Sequence, residues 1–190
     1  MSTRVCVTGA GGFIGSHLVK YLKARGYWVR GVDLKYPEWS KSPADEFEIL
    51  DLRLRSDAHS AFDYMEQVYA LAADMGGLGY LYTHSADILR HNLRITLNTL
   101  EAAYECEVGR LLYTSSACVY PEHIQDKSDS PAVKESDAYT GVPSEEGYGW
   151  EKATGEQLCR QFRLAYGFET RIARLHNSYG PEGTWTGGRE

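Results

Sequence analysis

No apolar stretch in this 190-residue chain approaches the roughly 18 consecutive residues that a membrane-spanning helix requires. Cysteine is scarce and scattered. Cys6, Cys106, Cys118 and Cys159 include no CxxC pair and have no histidine partner at zinc-ligand spacing, which excludes a disulfide scaffold and a zinc module, so no metal is expected. Basic residues do not dominate either. Twenty Lys+Arg against 26 Asp+Glu give a net charge of −6, which argues against a general nucleic-acid or anionic-membrane surface but leaves room for a local phosphate pocket. No secretory apolar region follows Met1, so the cytoplasm is the expected compartment. With 43% hydrophobic and 24% charged residues, and 19 glycines and six prolines dispersed along the chain, collagen, coiled coil and disorder are excluded as well.

What is present alternates between two periods. Arg4 to Thr8 is a β-branched run ending at glycines and reads as a buried strand. From Phe13 to Arg25, Ile14, Leu18, Val19 and Leu22 recur at helical spacing, with Gly26 as a stop. Strands are expected at Trp28 to Asp33, Phe47 to Leu50, Gln67 to Ala72, Leu111 to Ser115 and Glu169 to Arg174. A long helix is expected from about Ser85 to Cys106, striped by Leu89, Leu93, Leu97 and Leu100, and another from about Ser144 to Tyr166. Gln125 to Glu146, polar and carrying Pro131 and Pro143, reads as an irregular loop. Strands alternating with helices imply an α/β fold with a doubly wound parallel sheet of the Rossmann kind, because parallel neighbours need crossover connections. Residues 1–190 read as one domain, with the start of a further region at about 176–190.

Gly9, Gly12 and Gly15 fall between the first strand and the first helix, with Phe13 and Ile14 inside the same turn. Gly9 lets the turn tighten, Gly12 lets a pyrophosphate approach bare backbone, and Gly15 lets the helix sit close to the sheet. Asp33, eighteen residues after Gly15 at the end of the second strand, can accept hydrogen bonds from adenosine ribose hydroxyls and would repel a 2′-phosphate. NAD is therefore favoured over NADP, although Lys35 is near. Tyr148 and Lys152, four apart on a helix, share a face. An ammonium beside a phenol favours the phenolate, which can take a proton from a sugar hydroxyl as hydride leaves the same carbon.

Together these residues resemble the extended short-chain dehydrogenase/reductases that act on nucleotide sugars. The resemblance rests on the glycine turn, Asp33, Asp51-Leu52, Leu71-Ala72-Ala73, Asn92, the run Asn98 to Ala103, Ser115-Ser116-Ala117, Tyr148 with Lys152, and Arg174 to Pro181. It implies that Asp51 and Leu52 meet the adenine, that Ala72 lines the cofactor cleft, and that Lys152 holds the nicotinamide ribose. Ser116 and Tyr148 would bond the reacting hydroxyl. Three segments, Ala72 to Gly79, Ser115 to Pro121 and Gly183 to Glu190, resemble more closely the members that invert C3 and C5 of GDP-mannose, with C4 transiently oxidised.

That closer resemblance makes Cys118 a candidate acid or base, its thiol brought toward neutrality by positive charge nearby. A small cysteine packed after a strand is the alternative reading of the same residue. Gly76, Ala117, Asn177 and Glu190 would join Ser116, Cys118 and Tyr148 against the substrate. The second acid or base of those members is a lysine directly after Gly-Gly-Arg-Glu, a position just past Glu190. GDP-mannose or a related nucleotide sugar is the expected substrate, and a homodimer through the two long helices is implied. Other readings on the same scaffold are a 4-epimerase, a 4,6-dehydratase, a decarboxylase, or an NAD-binding portion without turnover.

Overall fold

The computed structural model describes residues 2–124, 132–145 and 147–183, with backbone alone at Leu78. Six parallel strands, β1 (Arg4–Thr8), β2 (Trp28–Asp33), β3 (Glu46–Ile49), β4 (Gln67–Ala70), β5 (Arg110–Ser116) and β6 (Thr170–Leu175), form one sheet in the order β3-β2-β1-β4-β5-β6. The helices are α1 (Phe13–Ala24), α2 (Arg55–Phe62), α3 (Leu78–Thr83), α4 (Ser85–Glu105) and α5 (Tyr148–Tyr166). The chain leaves β1 toward one edge and returns through β4 toward the other. This reversal opens a crevice at the carboxyl ends of β1 and β4, where α/β sheets of this order bind ligands.

Strand alternation separates two cores. Val5 and Val7 of β1 and Val29 of β2 pack with Val19 and Leu22 of α1 on one face. Cys6 points the other way and joins Val68, Leu111, Leu100, Ala103 and Cys159 beneath α2, α4 and α5. Cys6 is fully buried, and burial pushes its thiol well up from the ordinary range. Helix α1 ends as its sequence indicates: Lys23 lies in the last turn, the Arg25 N–H donates to the Leu22 carbonyl, and Gly26 follows at φ +82° with its N–H donating to the Lys23 carbonyl.

Three expectations change. Helix α5 begins at Tyr148 rather than near Ser144, because Gly147 sits at φ +74°, a left-handed conformation that interrupts a right-handed helix. Two short helices, α2 and α3, were not expected; α2 offers only Ala58, Ala61 and Phe62 to the core, too few apolar residues to set a period. The leucine stripe of α4 coincides with its buried face only at Leu100. Ile88, Asn92, Thr96, Thr99, Leu100, Ala102 and Ala103 turn inward, whereas Leu97 is 40% exposed. Within that face Asn92 donates to the Glu151 carboxylate of α5 at 3.4 Å. Part of the loop expected at 125–146 lies outside the described residues; within it, residues 135–139 form a 3-10 turn.

Candidate active site

The glycine turn takes three different demands. Gly9 adopts φ +70°, and a Cβ there would meet the backbone of Leu71 and Ala72 at 3.0 Å. At Gly15 a Cβ would run into the carbonyl of Gly9, so glycine is what lets α1 start directly beneath the turn. Gly12, the residue before α1, is different: its nearest neighbour would be the Gly9 oxygen at 3.3 Å, so its bareness serves no internal packing. It faces the helix N-terminus, where unpaired N–H groups and the helix dipole favour a phosphate. Phe13 and Ile14 open the helix, and Ile14 is 38% exposed. Gly11, which sequence reasoning passed over, is as constrained as Gly15. A Cβ there would strike the carbonyl of Lys35, and its N–H donates to Asp33 Oδ2 at 2.8 Å.

Asp33 thereby joins the turn to the end of β2, its other oxygen accepting from the N–H of Leu34 at 2.7 Å and that of Lys35 at 3.3 Å. Across the crevice, the hydroxyl oxygen of Thr8 accepts from the N–H groups of both Leu71 and Ala72 at 3.1 Å, fixing Ala72 beside the turn. Asp51 is engaged by Arg53, whose guanidinium binds it through both oxygens at 2.6–3.0 Å and holds its carboxyl below the usual range. Leu52 beside it is buried.

The catalytic candidates converge where β5 ends and α5 begins. Ser116 closes β5, accepts from the Cys118 N–H at 3.2 Å, and lies where it favours the ionised forms of both the Cys118 thiol and the Tyr148 phenol. Cys118 lies in the 3-10 turn Ala117–Val119, and Gly149 lets α5 close on that turn; a Cβ there would stand 2.7 Å from the Cys118 carbonyl. Tyr148 is 7% exposed and packs with Ile88, Leu81 and Cys118. The Lys152 ammonium, 4% exposed, stands 5.5 Å from the Tyr148 ring centroid and 5.2 Å from that of Tyr113. Burial opposes its charge, but Tyr113, Glu151 and Tyr148 outweigh this and hold it protonated above the ordinary lysine range.

Here one expectation is corrected. Burial pushes the Cys118 thiol up, and this outweighs the Ser116 hydrogen bond and the pull of Lys152, so the thiol is not brought toward neutrality by positive charge. Burial likewise dominates at Tyr148 and raises the phenol, against the Lys152 ammonium and the Ser116 bond.

Two buried networks, not foreseen from sequence, support this corner. Glu156, fully buried, binds Arg174 through both oxygens at 2.8 Å, the Ser115 hydroxyl at 2.6 Å and the Tyr139 hydroxyl. Burial opposes its ionisation, yet Arg174, Ser115 and Tyr139 hold its carboxyl below the usual range. Asn92 grips the segment that carries Gly76: its Oδ1 accepts from the Asp74 N–H at 2.6 Å and its Nδ2 donates to the Asp74 carbonyl at 3.0 Å. The Asp74 carboxylate adds Tyr80 at 2.9 Å and His91 at 3.0 Å. Gly76 comes six residues after β4 and packs on the Tyr80 ring. Asn177 is exposed two residues beyond β6, at the edge where Ser116 and Leu175 are register partners. Glu190 lies outside the described residues.

No group of His, Cys, Asp or Glu among the described residues could hold a metal ion, and no described helix is long and apolar enough to cross a membrane.

Comparison with known proteins agrees with this geometry. The chain is 41% identical over 189 residues to GDP-mannose 3,5-epimerase of Arabidopsis thaliana, covering 98% of this chain and 50% of that protein. It superposes on a UDP-glucose 4-epimerase of Thermotoga maritima, solved with UDP-glucose, with a TM-score of 0.85 and 25% identity over 99% of this chain and 60% of the other. A Thermus thermophilus UDP-glucose 4-epimerase in complex with NAD gives 0.84 at 28% identity, over 97% of this chain and 58% of that one. The chain thus spans about half the length of the curated relatives it matches. Residues 5–189 match the family model described as the NAD dependent epimerase/dehydratase family, and the chain belongs to that family.

Proposed function

We propose that this chain is the cofactor-binding part of an NAD-dependent nucleotide-sugar epimerase that converts GDP-mannose to GDP-L-galactose by inversion at C3 and C5. The observation that carries the reading is the packing of Cys118 against Tyr148 beside Ser116, which puts a second proton-transfer group next to the phenol that would take the C4 hydroxyl proton. A 4-epimerase needs no such group. The 41% identity to a GDP-mannose 3,5-epimerase supports the same reading.

The residues fit the cofactor: Gly12 leaves the helix N-terminus bare for a pyrophosphate, and Asp33 caps β2 at the ribose position. NAD, when bound, supplies a hydride acceptor for C4 and later returns the hydride. The chain's own residues do the rest. Tyr148 takes the C4 hydroxyl proton while Ser116 orients that hydroxyl, and the Lys152 ammonium holds the nicotinamide ribose and stabilises the phenolate. Once C4 is a ketone, the C–H bonds at C3 and C5 become acidic. Cys118 then exchanges a proton on one face of the sugar. As a mostly protonated thiol it serves more readily as the donor than as the base. A lysine following Glu190 in the resembled members would act on the opposite face. Asn177 and Gly76 border the same crevice and would contact the nucleotide sugar, with Ala117, and Glu190 would join them.

The half-buried Leu89 and Leu93 and the exposed Leu97 of α4 support a homodimer through α4 and α5. Sedimentation of the chain tests this: a monomer at micromolar concentration removes it.

The decisive experiment incubates a chain extended past Glu190 with NAD and GDP-mannose in D₂O and locates deuterium in the product. Label at C3 and C5 supports the epimerase. Inversion at C4 without label favours the 4-epimerase reading, which the two UDP-glucose 4-epimerase structures keep in play. Separate titrations of the 190-residue chain distinguish an NAD-binding portion, which binds NAD but not GDP-mannose.

A further inference from the structure

Glu151 has no part in the steps above, yet it is wholly buried between the two catalytic candidates of α5. A carboxylate removed from water needs partners. Its Oε1 accepts from the Tyr113 hydroxyl at 3.2 Å and lies 3.6 Å from the Lys152 ammonium. Its Oε2 accepts from Asn92 Nδ2 at 3.4 Å. All three partners are buried too. Glu151 follows Tyr148 by three residues, which puts the two on neighbouring faces of the helix. From the phenol, the nearby ammonium and carboxylate form a nearly neutral pair.

We propose that Glu151 is a positioning residue for sugar oxidation: its carboxylate offsets the Lys152 ammonium, moderates the ionisation of Tyr148, and through Asn92 ties the pair to the Asp74 segment that carries Gly76. This rests on the reading of Tyr148 as the base in the proposed function. Among the described residues, the groups facing Tyr148 and Glu151 come from three sides. Lys152 shares their helix, Tyr113 and Ser116 come from β5, Cys118 from the following turn, Glu145 precedes α5 and acts on Cys118, and the His91–Asp74 pair lies beyond Asn92 on the α4 side. Of these, Glu151 and Cys118 oppose the phenolate, whereas Lys152 and Ser116 favour it.

The test is a pH titration of the chain labelled with ¹³Cζ-tyrosine, the Tyr148 resonance being identified by its loss in Tyr148→Phe. In Glu151→Gln the Tyr148 ionisation constant rises by about threefold or more, because an opposing charge is gone while the side chain keeps its shape. Glu151→Asp, which keeps the charge, stays close to the parent. An unchanged Tyr148 midpoint in Glu151→Gln overturns the proposal, since a merely structural role would not select that one resonance. Should Glu151→Gln fail to fold, the parent chain labelled with ¹³Cδ-glutamate gives the answer. A carboxylate shift for Glu151 at pH 7 supports the proposal, and a carboxylic-acid shift overturns it. None of these measurements requires NAD or sugar. If the extended chain never reduces NAD with GDP-mannose, the proposed function fails separately from the charge assignment tested here.

Discussion

The hydroxyl of Tyr113 occupies the space where a Cβ of residue 155 would stand. Gly155 is therefore what allows the phenol of β5 to reach beneath α5 and meet Glu151 and Lys152. Gly155→Ala forces either the ring or the helix to move. Overpacking of this kind costs roughly 1–3 kcal/mol. At about 2–4 °C per kcal/mol for a domain of this size, the thermal midpoint should fall by roughly 2–12 °C. Circular dichroism melts check this, and a midpoint within 1 °C of the parent would show that the turn of α5 yields freely.

The glycines of the phosphate turn should separate into two behaviours. Gly12→Ala meets nothing closer than 3.3 Å and should melt within about 2 °C of the parent, while NAD affinity falls more than about tenfold because a methyl group blocks the approach to the backbone. Gly15→Ala meets the Gly9 carbonyl and should lose stability and NAD binding together. Calorimetric titration with NAD beside thermal melts separates the two. Equal losses in both variants would refute the assignment of Gly12 to the phosphate.

Acid should weaken the fold partly through Glu156. Its carboxyl is held below the usual range in the folded chain, so its contribution is present above the unfolded value of about 4.3 and is lost as pH falls through the lower folded value. Glu156→Gln should therefore show a shallower loss of stability below pH 4.3 than the parent. Arg174→Met leaves the Glu156 carboxylate buried without its cation and should cost about 3–5 kcal/mol at pH 7. Urea unfolding at pH 7 and at several acid pH values measures both. Parallel acid slopes in the parent and Glu156→Gln would count against the assignment.

Cys118→Ser should keep a hydroxyl at the position and preserve transient NADH formation with GDP-mannose in the extended chain. Deuterium uptake at C3 or C5 should fall by about 10²-fold or more, the scale of a lost general acid. Absorbance at the reduced-nicotinamide band reads the first step, and NMR of the recovered sugar reads the second. Unchanged uptake removes Cys118 from the mechanism.

The sheet and the glycine turn were legible because their signals are local. The run Arg4 to Thr8, the glycines and the apolar spacing of α1 are neighbours in sequence, and the alternation of periods implies the parallel order. That Tyr148 and Lys152 lie together on one helix was legible for the same reason. What escaped depends on distant partners. Nothing near Gly11 in sequence announces the Lys35 carbonyl that excludes a side chain there, and nothing near Gly155 announces Tyr113. The leucines of α4 looked like the buried stripe because apolar residues ordinarily face inward. Leu100 does, but the inward face also carries Asn92, Thr96 and Thr99, and Asn92 there binds the carboxylate on α5. The Cys118 thiol was misread for a related reason: a cation nearby can be guessed from sequence, but the depth of burial that overrides it cannot.

The grip of Asn92 on Asp74 also provides a reporter. The Asp74 amide sits in a stretch without regular secondary structure, where backbone amides ordinarily exchange with solvent quickly, yet it donates to Asn92 Oδ1 at 2.6 Å. Its deuterium exchange rate should consequently track the packing of α4 against α5, and this amide would register whether the segment that carries Gly76 is assembled before any ligand is added.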